Sequence, residues 1–227
     1  TDLTADAALN VGLTGKQFGD LRGGDNTGRQ PNTGYDEYNF DSKLLLQLSD
    51  SWQLNSALFS SRQLDVPRTH KTIFGQSFAA TTVGNELRRD TDLNRTLGYI
   101  KLLGNDLHDS FLPTIIEQAE FTISYQQQQE ERNRLRSRNR FDRQGTDVNT
   151  LGLQAQFSST LNSDQNSTRL VYGFDSYIDN VDSFSSKNII QGPVADDASY
   201  QWHGAYLQAK VSPFESLGQS LTMDIGI

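Results

Sequence analysis

Hydrophobic residues recur at every second position in one segment of the chain after another. The pattern is clear at 151–157, where Leu151, Leu153, Ala155 and Phe157 alternate with Gly152, Gln154 and Gln156. Successive side chains of a β-strand point to opposite faces, so each such segment predicts a strand with one apolar face. Nine strands are predicted, at 7–14, 35–48, 52–63, 95–103, 114–131, 147–161, 168–178, 199–211 and 221–227.

The links between these segments alternate between long and short. The long links are predicted at 19–34, 64–94, 132–146 and 179–198. This alternation favours an all-β fold, an antiparallel up-and-down meander that forms part of a transmembrane outer-membrane β-barrel, because such barrels have short turns at one end and long loops at the other. A soluble β-sandwich or β-helix also has alternating strands and remains the alternative.

Composition agrees with a strand-rich chain that has a polar interior. The 227 residues carry a net charge of −8, which argues against nucleic acid as a partner. The chain has no cysteine, so it has neither a disulfide framework nor a thiolate metal site. Mean hydropathy is −0.60, and no apolar run is long enough for a membrane helix.

The ends of the chain suggest part of a longer protein. No secretory signal opens it, since Thr1–Thr4 lacks a basic start and an apolar segment. The alternating run Met223–Ile227 stops with no turn after it. We therefore expect a fragment, or a processed and truncated chain.

Several runs, in order along nearly the whole chain, resemble TonB-dependent outer-membrane receptors. They are Tyr35–Tyr38, Asp65–Thr69, Arg95–Leu102, Ile123–Arg132, Asp147–Leu153 and Tyr172–Tyr177. Each run is unspecific alone, and their order and spacing carry the resemblance.

The resemblance implies a fold and a function. Family members have a 22-stranded barrel around a plug domain, and energy arrives through a TonB box. Neither a plug nor a TonB box is visible in 1–227, so the resemblance implies a partial receptor barrel in the bacterial outer membrane. It would bind and import a scarce nutrient, with outer-membrane lipid around it and the TonB complex reached through missing parts of the parent chain. A siderophore, haem, cobalamin and an oligosaccharide remain open as ligands.

Arginines at every second position after the fifth predicted strand are the first candidate ligand site. They are Arg132, Arg134, Arg136, Arg138 and Arg140, and in an extended strand they would share one face. Guanidinium groups suit anionic ligands, and Arg134, Arg136 and Arg138 are predicted to bind one. The alternative is a solvated loop in which the arginines pair with Glu130, Glu131, Asp142 and Asp147.

A second candidate site lies in the longest predicted loop, where Arg68 and His70 are predicted to contact ligand. The alternative for His70 is an ordinary exposed histidine. Trp52, Tyr125 and Trp202 fall near predicted strand ends, so they are candidates for the aromatic girdles of a barrel, with simple packing as the alternative.

No catalytic constellation appears in the sequence, so we do not expect an enzyme, a cofactor or a metal site. Two alternatives to the receptor stay open, a passive porin-like channel and a soluble all-β carbohydrate-binding module.

Overall fold

In the described part of the chain, ten strands form one antiparallel sheet, and neighbours in the sheet follow chain order. The computed structural model describes residues 2–4, 6–24, 28–75, 83–107, 112, 115–163, 166–187, 194–213 and 221–226. The strands are β1 (Asp2–Thr4), β2 (Ala7–Phe18), β3 (Tyr35–Gln47), β4 (Trp52–Pro67), β5 (Glu86–Gly104), β6 (Gln118–Arg136), β7 (Arg140–Ser163), β8 (Asn166–Ser185), β9 (Ala198–Pro213) and β10 (Leu221–Gly226). A 3-10 helix spans Thr69–Lys71.

The predicted up-and-down meander is confirmed. All nine predicted strands are present, and the short β1 is added at the edge beside β2. The β2–β3, β4–β5, β6–β7 and β8–β9 connections lie at one end of the sheet, as predicted, because every neighbouring pair is antiparallel. No helix in the described part of the chain is long and apolar enough to cross a membrane.

The predicted loop at 132–146 is wrong. β6 continues to Arg136, β7 begins at Arg140, and only 137–139 form the turn between them. The segment looked like a loop because it is polar at nearly every position. It is a hairpin because its charged side chains pair across the two strands, as between Arg134 and Asp142. The links predicted at 64–94 and 179–198 are also shorter than predicted, since their flanks pair as strand.

Alternation gives the sheet two different faces. One row of directly paired residues runs Leu9, Leu44, Ser56, Ile100, Ile123, Leu153, Ser176 and His203. We call the side on which this row lies the apolar face, and the other side the opposite face. On β7 the prediction holds that Leu151, Leu153, Ala155 and Phe157 share one face and Gln154 and Gln156 the other.

The apolar residues of the apolar face form a band, which we call the apolar band, and this band crosses the strands obliquely. The row that begins with Leu13 and Phe40 continues through Ser60 and Thr96 to Gln127 and Asn149, so it is apolar at one edge of the sheet and polar further along. On β9 the apolar residues Ala205, Leu207 and Ala209 lie further towards the short-turn end. A band of constant height crosses rows in this way when the strands are tilted, as barrel strands are.

The longest strands extend well beyond this band. β7 has 24 residues, which span about 80 Å at 3.3 Å per residue. A transmembrane strand needs only about 9–11 residues. The ends of β5, β6 and β7 nearest the long connections therefore project past the apolar band and carry the charged residues described below.

A small buried cluster lies at the end of the sheet that carries the short turns. Leu107, Ile116 and Ala119 are buried there, and Trp52, Leu112, Phe121 and Phe157 pack against them. Trp52 pairs with Gly104 on the apolar face, near the short-turn end of the strands.

Candidate functional site

A charged cluster lies on the opposite face where β5, β6 and β7 project beyond the apolar band. Arg89 pairs directly with Arg134, and Arg134 with Asp142, so the three side chains share that face. The cluster consists of Arg89, Arg132, Arg134, Arg136 and Lys187 together with Glu86 and Asp142, and we call it the arginine cluster.

Asp142 is the centre of the arginine cluster. Its side chain is 4% exposed, and its carboxylate accepts hydrogen bonds from Arg134 Nε at 2.9 Å and from Arg136 at 2.9 Å. Lys187 Nζ approaches within 3.8 Å. Burial raises the pKa of Asp142, but the hydrogen bond and charge of Arg134, followed by the charges of Lys187 and Arg136, outweigh burial and leave the pKa below its usual value. Asp142 is therefore ionised at neutral pH.

Glu86 holds the β5 side of the cluster. It is 7% exposed and contacts Arg89 at 3.2 Å and Arg134 at 3.3 Å. The pKa of Arg134 is raised above its usual value, mainly by its hydrogen bond to Asp142. These contacts fix the guanidinium groups in place.

Positive charge exceeds negative charge in this cluster. Five cationic side chains surround two carboxylates, which leaves a surplus of three positive charges. The pKa of Arg132 is lowered first by burial and then by the neighbouring charges of Arg89 and Arg134. The contribution of these two charges agrees with the surplus of positive charge.

Three guanidinium nitrogens of the cluster are also left without an acceptor. The buried Nε atoms of Arg89, Arg132 and Arg136 have no hydrogen-bond partner within the protein. Burying a donor without an acceptor is costly, so an anion that reached these atoms would be bound favourably. The arrangement can bind an anion and contains no nucleophile aligned with a base.

The structure divides the predicted arginine series. Arg132, Arg134 and Arg136 share the opposite face of β6, as predicted, and they do pair with Asp142, as the alternative held. Arg138 lies in the exposed turn between β6 and β7, with a φ of 62°. Arg140 opens β7 and donates to the backbone of Ser137.

The predicted loop site borders the same region. The backbone N–H of Arg68 donates to the carbonyl of Arg89 at 2.8 Å, which ties the 3-10 helix to β5. A cavity of about 530 Å³ between these elements is lined by Thr69, Thr72, Phe74 and Arg89, among others. The Arg68 side chain is exposed, and the side chain of His70 lies outside the described residues.

Sequence reasoning did not identify Arg89, Glu86 or Lys187 as part of a site. They come from two other links, and only strand register brings them to the β6–β7 hairpin. A pattern within a single segment carries no signal for such a meeting.

The predicted aromatic girdle is partly wrong. Tyr125 lies on the apolar face and its hydroxyl donates to Asn149, where the band gives way to polar residues. Trp202 pairs with Tyr177 on the opposite face, so it does not belong to a girdle. Its neighbour His203 lies on the apolar face, with Nδ1 at 2.9 Å from the Ser176 hydroxyl.

Among the described residues, one group of three carboxylates is close enough to share a cation. Asp182, Asp196 and Asp197 are exposed and place oxygens within 4.8 Å of one another. Asp196 already accepts the backbone N–H of Ser183 at 2.8 Å. This geometry is compatible with a loosely held divalent cation.

Comparison with known proteins gives a likeness in fold. No protein-family model and no curated protein matches the chain. Among solved structures, the copper transporter OprC is similar, with a TM-score of 0.56 and 14% sequence identity. The match covers 97% of this chain and 36% of OprC, so the chain spans about a third of that protein's length. Its meander therefore has the fold of part of the OprC chain.

Proposed function

We propose that this chain forms part of the wall of a bacterial outer-membrane receptor that imports a scarce nutrient with energy from TonB. The observation that carries the proposal is the oblique apolar band, which crosses consecutive antiparallel strands as lipid-facing residues of tilted barrel strands do. The likeness of the meander to part of OprC supports it.

In this proposal the apolar face contacts outer-membrane lipid and the opposite face lines the lumen. The β2–β3, β4–β5, β6–β7 and β8–β9 connections lie outside the cell. The TonB complex would act through parts of the parent protein beyond this sequence. No covalent chemistry is involved, and the chain acts by binding and gating.

The arginine cluster is the proposed first binding site for ligand. Arg134, Arg136 and the turn residue Arg138 would contact an anionic small molecule, and Arg68 and His70 of the neighbouring connection are further proposed contacts. The surplus of positive charge repels a bare metal cation such as copper, the cargo named for OprC, and favours an anionic chelate of the siderophore or haem type.

Transport by the full-length protein tests the receptor assignment. We expect the protein in the outer-membrane fraction, and uptake that stops when TonB is deleted. Uptake that persists without TonB indicates a passive porin-like channel. A monomer that folds without detergent indicates a soluble module, and either result overturns the proposal.

Salt-dependent binding tests the arginine cluster. Replacing Arg134, Arg136 and Arg138 together by Gln should weaken binding of haem, or of ferric citrate, catecholate or hydroxamate chelates, more at low salt than at high salt, since the Debye length is about 8–10 Å at physiological ionic strength. Arg143→Gln is the matched control, because it removes a guanidinium of the same hairpin from the apolar face. Equal affinity of the triple variant and the wild type at both salts removes these residues from the site.

A further inference from the structure

Aromatic rings lie over glycines on the opposite face of β7, β8 and β9. A Cβ atom at Gly152 would lie 2.8 Å from Cε1 of Tyr177, and one at Gly173 would lie 2.5 Å from Cζ of Tyr206. A Cβ atom at Gly204 would lie 3.1 Å from Cη2 of Trp202. Glycine at these positions lets the rings approach the backbone of the sheet closely. We call Tyr177, Trp202 and Tyr206 the aromatic floor.

Hydrogen bonds and ring contacts hold the floor in place. Gln154 Nε2 donates to the Tyr177 hydroxyl at 2.7 Å, and the Tyr206 hydroxyl donates to Gln156 Oε1 at 2.7 Å. The rings of Tyr177 and Trp202 are 5.6 Å apart and inclined by 39°. Trp202 is nevertheless 45% exposed, so its ring is positioned without being covered. A side chain that is fixed and still open to solvent is prepared for a ligand.

The polar groups around the floor decide what kind of ligand fits. Gln154 and Gln156 lie along one side, and each amide keeps donors or acceptors beyond its bond to a tyrosine. Asp175 lies on the same face of β8, between Gly173 and Tyr177. Lys101 and Glu120 form an ion pair nearby on β5 and β6. This local balance favours an uncharged ligand over an anion.

We propose that the aromatic floor binds a pyranose ring of an uncharged oligosaccharide. The C–H face of a pyranose is apolar and can stack on an aromatic ring, while its edge carries hydroxyls for amide and carboxylate groups. A planar aromatic ligand would use the rings but leave the amides at the edge without partners. A hydroxylated ring uses both.

The aromatic floor is a separate site from the arginine cluster. On β7, ten residue steps separate Gly152 from Asp142, which corresponds to about 33 Å along the strand. The inference rests on the proposed function, because that function makes the opposite face the wall of a lumen. The floor would then contact an uncharged sugar inside the lumen, a ligand different from the anionic chelate proposed for the arginine cluster.

Binding to a glycan array tests the floor. The full-length protein in detergent is applied to uncharged oligosaccharides of α- and β-linked glucose, galactose, mannose and N-acetylglucosamine, at a salt concentration that suppresses charge-driven binding. We expect retention of at least one glycan class, and a loss of about tenfold or more in Trp202→Ala. Phe174→Ala is the matched control, since it removes an exposed aromatic ring from the apolar face of β8.

The outcomes separate a binding role from a packing role. If Trp202 only packs, Trp202→Ala lowers the thermal midpoint and leaves glycan retention equal to that of Phe174→Ala. Failure to retain any glycan, or equal retention by Trp202→Ala and the wild type, overturns the inference. Neither result affects the TonB or salt experiments, so failure of this inference can be distinguished from failure of the proposed function.

Oxidation of the wild-type protein gives a second readout that needs no variant. N-bromosuccinimide should oxidise exposed Trp202, and the retained glycan should protect it, as measured by mass spectrometry of the peptide that contains it. Trp52, which packs against the cluster around Leu107, serves as the internal reference. Equal oxidation of Trp202 with and without glycan contradicts binding at the floor.

Discussion

The apolar band and the arginine cluster lie on the same strands but hold them together differently. In the band, Ile123 pairs with Leu153 on one face, and both apolar side chains are about half exposed. In the cluster, Asp142 is almost fully buried by cationic side chains that its own charge attracts. The backbone ladder between β6 and β7 runs without interruption through both regions.

The difference shows what specifies a strand in each region. In the band, alternation excludes a register slip of one residue, because such a slip would move every apolar side chain to the other face. In the cluster both faces are polar, so register depends on which charges meet across the strands. Substitutions in the cluster should therefore act through charge pairing, and in the proposed receptor those in the band should act through depth in the membrane.

The largest effect is expected at Asp142. Asp142→Asn leaves Arg134, Arg136 and Lys187 around a neutral side chain, and removing one partner of a buried ion pair costs about 3–5 kcal/mol. We expect faster hydrogen exchange of the amides of 131–146 in the full-length protein. Asp147→Asn is the control, because Asp147 accepts hydrogen bonds from neutral amides such as Gln127 and Gln129. Equal exchange in the two variants would mean that charge pairing does not hold the hairpin.

A charge placed in the apolar band should cost somewhat less. Leu153→Arg would place a guanidinium against lipid, at about 2–4 kcal/mol if the residue lies near the midplane. The neighbouring Gln154→Arg places the same charge on the opposite face, so we expect a much smaller change in unfolding free energy in lipid bilayers. Similar losses in both variants would contradict the assignment of the two faces.

The same contrast explains what could be predicted from sequence. The strands and the shared face of Leu151 and Leu153 follow from alternation within single segments. The meander and the end at which the long connections lie follow from the alternation of link lengths between segments. The β6–β7 hairpin was predicted as a loop because alternation vanishes where both faces are polar. The arginines recur at every second position, but a charge series of this kind fits a solvated loop as well as a pair of strands joined by ion pairs.

The candidate site was predictable only in part. The arginines of β6 were visible as a series, and Asp142 was a predicted partner. Their meeting with Glu86 and Lys187 depends on the register of β5 against β6 and on the position of the chain after β8. The aromatic floor was missed because each ring covers a glycine, and two of those glycines, Gly152 and Gly173, belong to another strand.

Acid should open the cluster before it affects the band. The folded pKa of Asp142 is below its usual value, so Asp142 stabilises the cluster above a pH of about 4, and this stabilisation is lost as the pH falls through the folded pKa. We expect protection of the hairpin amides to be constant from neutral pH to about pH 4 and to decrease below it. Asp142→Asn should remove this pH dependence, and a wild-type profile that matches the variant would exclude Asp142 as the titrating group.

The smallest effect is expected on the other face of the same hairpin. Arg143 pairs with Glu131 on the apolar side of β6 and β7, with side-chain exposures of 52% and 26%. Solvent screens such a pair, so Glu131→Gln should change the unfolding free energy much less than Asp142→Asn does and should leave anion binding at the arginine cluster unchanged. Urea titration and hydrogen exchange measured beside Asp142→Asn give the comparison. If Glu131→Gln opened the hairpin as far as Asp142→Asn, both faces would contribute equally to its stability, and the central role of Asp142 would be lost.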